Sequence, residues 1–325
     1  MIRLDANTVP TNAVLMFAGL AVGSALLLAG ERPDKRREGY AKARRPPLRR
    51  QSSHTVLAAR RLNRAAGTIA ASVLADSSVE HYRGSFKNKA MFTPLIVSAL
   101  TLATSLHGTA DMRPVAHRTR DTTYLLAAAS GLIGTGFHIY NVSKKVGGFS
   151  WQNFFYAAPI GAPMAILLSG LLGFCSERVR ESDPNTRPEI FELPAGRTMA
   201  AVVAAGLLGT TGEAGLLHFR GAFHNPFMML PVTLPPIGAL LLGSASAAGP
   251  GREHRFARWW MRLLAAMGFA GVGFHAYGVS RNMGGWRNWS QNILNGPPLP
   301  APPSFAGLAL GGLAALRLME DHPDA

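Results

Sequence analysis

The stretch HYRGSFKNKAMFTP at His81–Pro94 returns as HFRGAFHNPFMMLP at His218–Pro231, with seven of fourteen positions identical. A second stretch, GTGFHIYNVSKKVGG from Gly134, returns as GVGFHAYGVSRNMGG from Gly271, with nine of fifteen identical. Both pairs are separated by 137 residues, without a gap. Asp76 and Glu213 share that spacing, five residues ahead of His81 and His218. Two distant matches at one offset point to an internal repeat, and its period organises the rest of the reading.

Around these landmarks the chain is 48% hydrophobic and only 16% charged, against about 25% charged in a soluble globular protein. Nine apolar segments run roughly over 12–30, 65–82, 91–108, 123–143, 157–175, 199–219, 227–246, 261–280 and 301–318. Each is near the ~20 residues of a membrane-spanning helix. The weakest is 65–82, which carries Asp76 and Glu80. Helices satisfy their own backbone groups in lipid, and the Gly, Ala and Ser content permits close packing. Pro94, Pro159, Pro163 and Pro231 fall near helix starts, where a missing N–H costs least.

The expected fold is therefore an all-α integral membrane protein. It has nine transmembrane helices: two parallel tandem four-helix units, helices A to D in each, plus one N-terminal helix. Four spans return the chain to its starting side, so both units face the same way. The expected divisions are an N-terminal anchor over 1–31, a basic cytoplasmic linker over 32–59, and units over 60–196 and 197–325. The alternative for the first segment, a cleaved signal peptide, would leave the basic stretch outside, against the positive-inside rule.

Orientation follows from the cations. Alternate loops, beginning with 32–64, carry 23 Lys and Arg against 8 on the other side. This predicts an outer N-terminus and an inner C-terminus in a bacterial cytoplasmic membrane. A net charge of +15 would suggest nucleic acid in a soluble protein. Here loop orientation and anionic lipid account for it, and no nucleic-acid partner is expected. The single cysteine, Cys175, excludes an intramolecular disulfide and cysteine-based zinc sites.

The shared residues gather at the outer ends of helices A and C. Each unit offers a carboxylate (Asp76 or Glu213), a helix A histidine (His81 or His218) and a helix C histidine (His138 or His275). One reading is haem b. Two neutral imidazoles ligate iron from opposite faces, Gly136 and Gly273 remove bulk beside them, and Arg83 and Arg220 pair with propionates. A second is a non-haem iron, zinc or copper site using Asp76 or Glu213. A separation of five puts carboxylate and histidine about 140° apart on a helix, which argues against it. A third is an anion, lipid-headgroup or transport site on the Arg-Gly turn and Asn88 or Asn225. Beside these stands a purely structural corner with no cofactor, its Tyr140, Tyr277, Trp151, Trp286 and Trp289 forming an interfacial aromatic belt.

His107, His117, His254 and His322 are expected to be solvated, and Met91, Met228, Met229 and Met267 to serve packing. No Walker, nucleophile-elbow or H-E-x-x-H motif occurs. The functional expectation is a membrane-embedded cofactor-binding subunit that exchanges electrons with a redox partner or quinol at the outer face. The alternative is a transport, lipid-binding or scaffold protein.

Overall fold

The computed structural model describes residues 54–157, 159–183, 186–248 and 254–321. The expected N-terminal anchor and most of the basic linker lie outside the described residues. Eight long helices dominate: α1 (His54–Arg83), α2 (Thr93–Ala110), α3 (Arg118–Ser143), α5 (Gly161–Glu181), α6 (Ala195–Arg220), α7 (Leu230–Ala247), α8 (Arg255–Arg281) and α10 (Pro303–Asp321). Two short ones, α4 (Trp151–Tyr156) and α9 (Trp289–Asn295), lie in loops. Among the described residues the only sheet is a two-residue hairpin, β1 (Glu189–Ile190) on β2 (Leu193–Pro194).

Six of the long helices, α2, α3, α5, α6, α7 and α8, are long and apolar enough to cross a membrane. The chain is an all-α membrane protein, with lipid as the natural contact of its outward apolar side chains. Leu132, Phe137, Leu240 and Phe269 are examples of large side chains that no other helix covers.

The helices expected as A to D are α1, α2, α3 and α5, then α6, α7, α8 and α10. Within each set A packs on B, B on C, C on D and D on A. Between the sets, α1 packs on α10 and α5 on α6. The interior is formed by Leu62, Ile69, Leu172, Val203, Leu207 and Leu308. Surrounded on several sides, α1 meets neighbours through Ala58, Ala59, Ala65, Ala66 and Ala70, all buried. Alanine is the best helix former and lets backbones approach closely. A helix with protein on most sides needs small residues more than oily ones. That explains why α1 reads as the weakest apolar segment.

Close approach is sharpest where glycines face backbone. A Cβ on Gly131 would lie 2.4 Å from the Leu167 nitrogen, and one on Gly268 would lie 2.6 Å from the Ala306 nitrogen. These contacts join α3 to α5 and α8 to α10 at matching places. The partner residues are 139 apart, not 137, so two residues are added between helices C and D of the second set. Asn153, which holds the Val146 and Gly148 carbonyls, accordingly corresponds to Asn292, which holds those of Met283 and Gly285. Asn288 lies earlier in that loop, at the end of the short turn Gly285–Asn288.

Candidate functional site

The corner between helices A and B has the same build in both copies. The chain leaves α1 through Ser85 and Phe86, at φ 56° and 45°, and leaves α6 through Ala222 and Phe223, at φ 54° and 47°. Positive φ is rare for residues with a side chain, and especially for a bulky one. The paired left-handed residues turn the chain back sharply. A Cβ on Gly84 would meet the Met91 methyl at 2.8 Å, and one on Gly221 would meet that of Met228 at 3.0 Å. Asn88 and Asn225 then cap the following turns by accepting from the Ala90 and Phe227 amides at 2.9 and 3.0 Å. Pro94 and Pro231 stand in the first turns of α2 and α7.

Into this corner the helix A histidines reach. His81 Nδ1 bonds the Met91 carbonyl at 2.5 Å, and His218 Nδ1 bonds that of Met228 at 2.9 Å. Phe86 and Phe223 stand edge-on to the two rings, at 6.3 and 6.2 Å. The helix C histidines do the same toward helix D. His138 Nδ1 bonds the Pro159 carbonyl at 2.5 Å and His275 Nδ1 that of Pro298 at 2.6 Å. A ring nitrogen facing a carbonyl must carry the proton. All four imidazoles are thus pinned with Nδ1–H donating, and in the neutral ring Nε2 keeps its lone pair. No described residue bonds any of the four Nε2 atoms.

His218 and His275 come together, with ring centroids 6.5 Å apart and planes at 69°. His81 and His138 hold the corresponding places in the first set. Trp151, Trp286 and Trp289 are exposed around this end, together with Tyr140 and Tyr277, as expected of a belt at a membrane interface.

The other expected residues are placed less uniformly. Gly134 and Gly271 press against Pro163 and Pro302, a packing role. Gly136 and Gly273 meet nothing within 4 Å, but each stands two residues before its helix C histidine, on a different side of the helix, so that open space is not beside the imidazole. Arg83 bonds Glu80 at 2.7 Å, whereas Arg220 lies 4.8 Å over the Tyr156 ring. Glu213 accepts from the Gly161 amide at 3.0 Å and so serves the first turn of α5. Asp76 lies among the charges of Glu80, Glu213 and Arg83. Among the described residues, no three His, Cys, Asp or Glu side chains converge to hold a metal ion. Asp76 and Glu213 are not gathered with the histidines into such a group.

A second polar cluster, at the opposite end of the first set, was not legible as such. Arg120, Glu177 and Arg180 are fully buried. Arg120 bridges Glu177 at 2.8 Å and Asp111 at 2.9 Å. Arg180 holds the Gly108 and Asp111 carbonyls at 2.6 and 2.9 Å. His117, expected to be solvated, sits 3.2 Å from Asp111, and His107 lies 3.3 Å from Arg120. Farther along the helices Tyr124 bonds Asn63, which bonds Ser176. Across the repeat, Asn63, Ser105, Arg120 and Tyr124 correspond to Ala200, Leu242, Ala257 and Met261. That comparison is the signal that exposes the cluster.

No protein family, curated protein or solved structure matches the chain.

Proposed function

We propose that the chain is a membrane-embedded electron-transfer subunit binding b-type haem, which His81 and His138 would hold in one unit and His218 and His275 in the other. In this reading it spans the membrane nine times, as two parallel tandem four-helix units behind an N-terminal helix. The histidine ends lie at the outer face of a cytoplasmic membrane, with the C-terminus inside. The partner is a redox protein or a quinol at that face.

The observation that carries the reading is the His218–His275 pair, 6.5 Å between centroids with both Nδ1 atoms tied to carbonyls. A metal–nitrogen bond of about 2 Å on each side would set two opposed rings roughly 6.3 Å apart. Carbonyl bonds to Nδ1 are the usual outer support of a ligating imidazole, since they fix its tautomer and raise its basicity. The donor count agrees as well. A bare ion needs three or more protein ligands, whereas a porphyrin brings four nitrogens and leaves two positions for histidine. Bound haem would supply reversible one-electron chemistry. The protein would hold the imidazole nitrogens in place and offer Arg83 and Arg220 near the polar boundary.

The test is an absorption spectrum of detergent-purified protein, oxidised and dithionite-reduced, with iron analysis on the same sample. A Soret band with sharp reduced α and β bands is expected. His275→Ala should remove the second unit's share and leave that of the first. A colourless, iron-free preparation from haem-replete cells would refute the reading, and the histidines would then be loop staples.

A further inference from the structure

We propose that the groove between α1, α8 and α10, at the end opposite the histidines, binds a phosphate-bearing anion, presented by a phospholipid headgroup or as free phosphate. Arg61, Arg64, Arg258, Arg262 and Arg317 line one cavity of about 280 Å³ there, together with Leu310 and Leu313. Arg61 and Arg64 are three apart on α1, and Arg258 and Arg262 are four apart on α8. Each pair shares a helix face, so two helices aim two cations apiece at the same space. At 1.5 Å per residue, Arg64 lies about 25 Å along α1 from His81, so the groove is separate from the histidine site.

Two of the five arginines have no described carboxylate partner. Arg258 is paired with Glu320, but no described carboxylate pairs with Arg64 or Arg262. Packing like charges together is unfavourable unless an anion is shared between them. Guanidinium groups are suited to that anion, because their planar forks match phosphate oxygens.

The related groove of the first set, between α3, α5 and α6, serves as an internal control. The five arginine positions correspond there to Thr198, Ala201, Asp121, Leu125 and Arg178. Its one arginine, Arg178, pairs with Asp121 at 2.5 Å and with Glu181, the counterpart of Glu320, at 3.5 Å. The same helix packing therefore closes without an arginine cluster, so the architecture does not demand the five. Leu313 and Leu310 lie one and two turns from Arg317 toward the histidine end. Charge at the mouth with apolar side chains deeper along the helix suits an amphiphile, headgroup outward and acyl chain inward.

The full chain, delipidated in neutral detergent, would be titrated with phosphatidylglycerol in mixed micelles, with phosphatidylcholine, and with inorganic phosphate at matched ionic strength. Melting temperature is the readout. Phosphatidylglycerol is expected to raise it saturably and phosphatidylcholine is not. An equal rise with inorganic phosphate would assign the site to a soluble anion instead of a lipid. Arg64→Gln/Arg262→Gln should weaken binding by about fivefold per arginine, roughly thirtyfold together. Lys144→Gln/Lys145→Gln, at the other end, should leave it unchanged. No rise with any anion, or undiminished affinity in the arginine variant, overturns the proposal. A measurement on the unmodified protein guards against a variant that fails to fold. Raising potassium chloride severalfold must weaken phosphatidylglycerol binding, and salt-independent binding also overturns the proposal.

Discussion

Replacing Glu177 by leucine would remove one acid from between two arginines that are fully buried. Glu177 accepts from Arg120 Nε at 2.9 Å and Nη2 at 2.8 Å, and lies 3.5 Å from Arg180 Nε. Breaking a buried pair from one side costs about 3–5 kcal/mol, because the remaining charge stays out of water. Arg120 would still hold Asp111, and Arg180 its carbonyls, so the lower end, about 3 kcal/mol, is expected. At about 2 °C per kcal/mol for a large chain, the melting temperature should fall by about 6 °C. The second set supplies the compensating sequence, since Arg120, Glu177 and Arg180 correspond to Ala257, Leu316 and Met319. Arg120→Ala/Glu177→Leu/Arg180→Met should therefore melt above the single variant. Helical circular dichroism during heating in detergent measures both. A loss of less than about 2 °C for Glu177→Leu, or a triple variant that melts below the single one, would refute the reasoning.

Acid sensitivity should trace in part to Asp111. Burial alone would raise its carboxyl, but hydrogen bonds from Arg113 and Arg120 outweigh that and hold it well below its ordinary value of 3.8. Its contribution to stability is therefore present above about pH 4 and is lost as pH falls toward the depressed folded value. A melting series down to pH 2 should drop less steeply for Asp111→Asn. The glycines separate close packing from open surface. Gly131→Ala should cost about 1–3 kcal/mol by forcing α3 from α5, whereas Gly136→Ala, on an open side of the same helix, should leave the melting temperature nearly unchanged. Orientation is open to thiol labelling, because the one native cysteine is buried. Ser150→Cys should react from outside intact cells and Ser182→Cys should not; the reverse pattern would invert the topology.

The helices were legible because lipid-facing surfaces must be apolar along their whole length, as in α2 and α7. The histidine pairs were legible through the repeat, since identical residues recur where identical corners must form. The buried network was harder to read. Arg120, Glu177 and Arg180 lie near helix ends, where charges are normally wet, and 176–198 reads as a basic loop although α5 continues to Glu181. Only the third dimension brings Asn63 under Tyr124. Arg60 was likewise counted as a loop cation, yet its Nε donates to the Thr109 carbonyl at 2.6 Å. Its repeat counterpart Arg197 serves Ala248 in the same way. The Asn153–Asn292 correspondence was hidden by the two-residue insertion, which shifts the register after the last shared glycine.

The burial of α1 against α10 joins parts of the chain that are made far apart in time. Ser72 Oγ bonds the Pro300 carbonyl at 2.5 Å across 228 residues of chain. At roughly 5–20 residues per second, a ribosome needs about 10–45 s to deliver that partner. Until then α1, whose Arg60, Arg61 and Arg64 make it a poor solitary occupant of lipid, lacks the α10 side of its enclosure. Chains truncated before Pro303 should therefore leave Ser72→Cys open to thiol reagents, whereas the full chain, in which Ser72 is buried, protects it. The contact thus makes the enclosure of α1 a property of both four-helix sets together, not of the set that α1 begins.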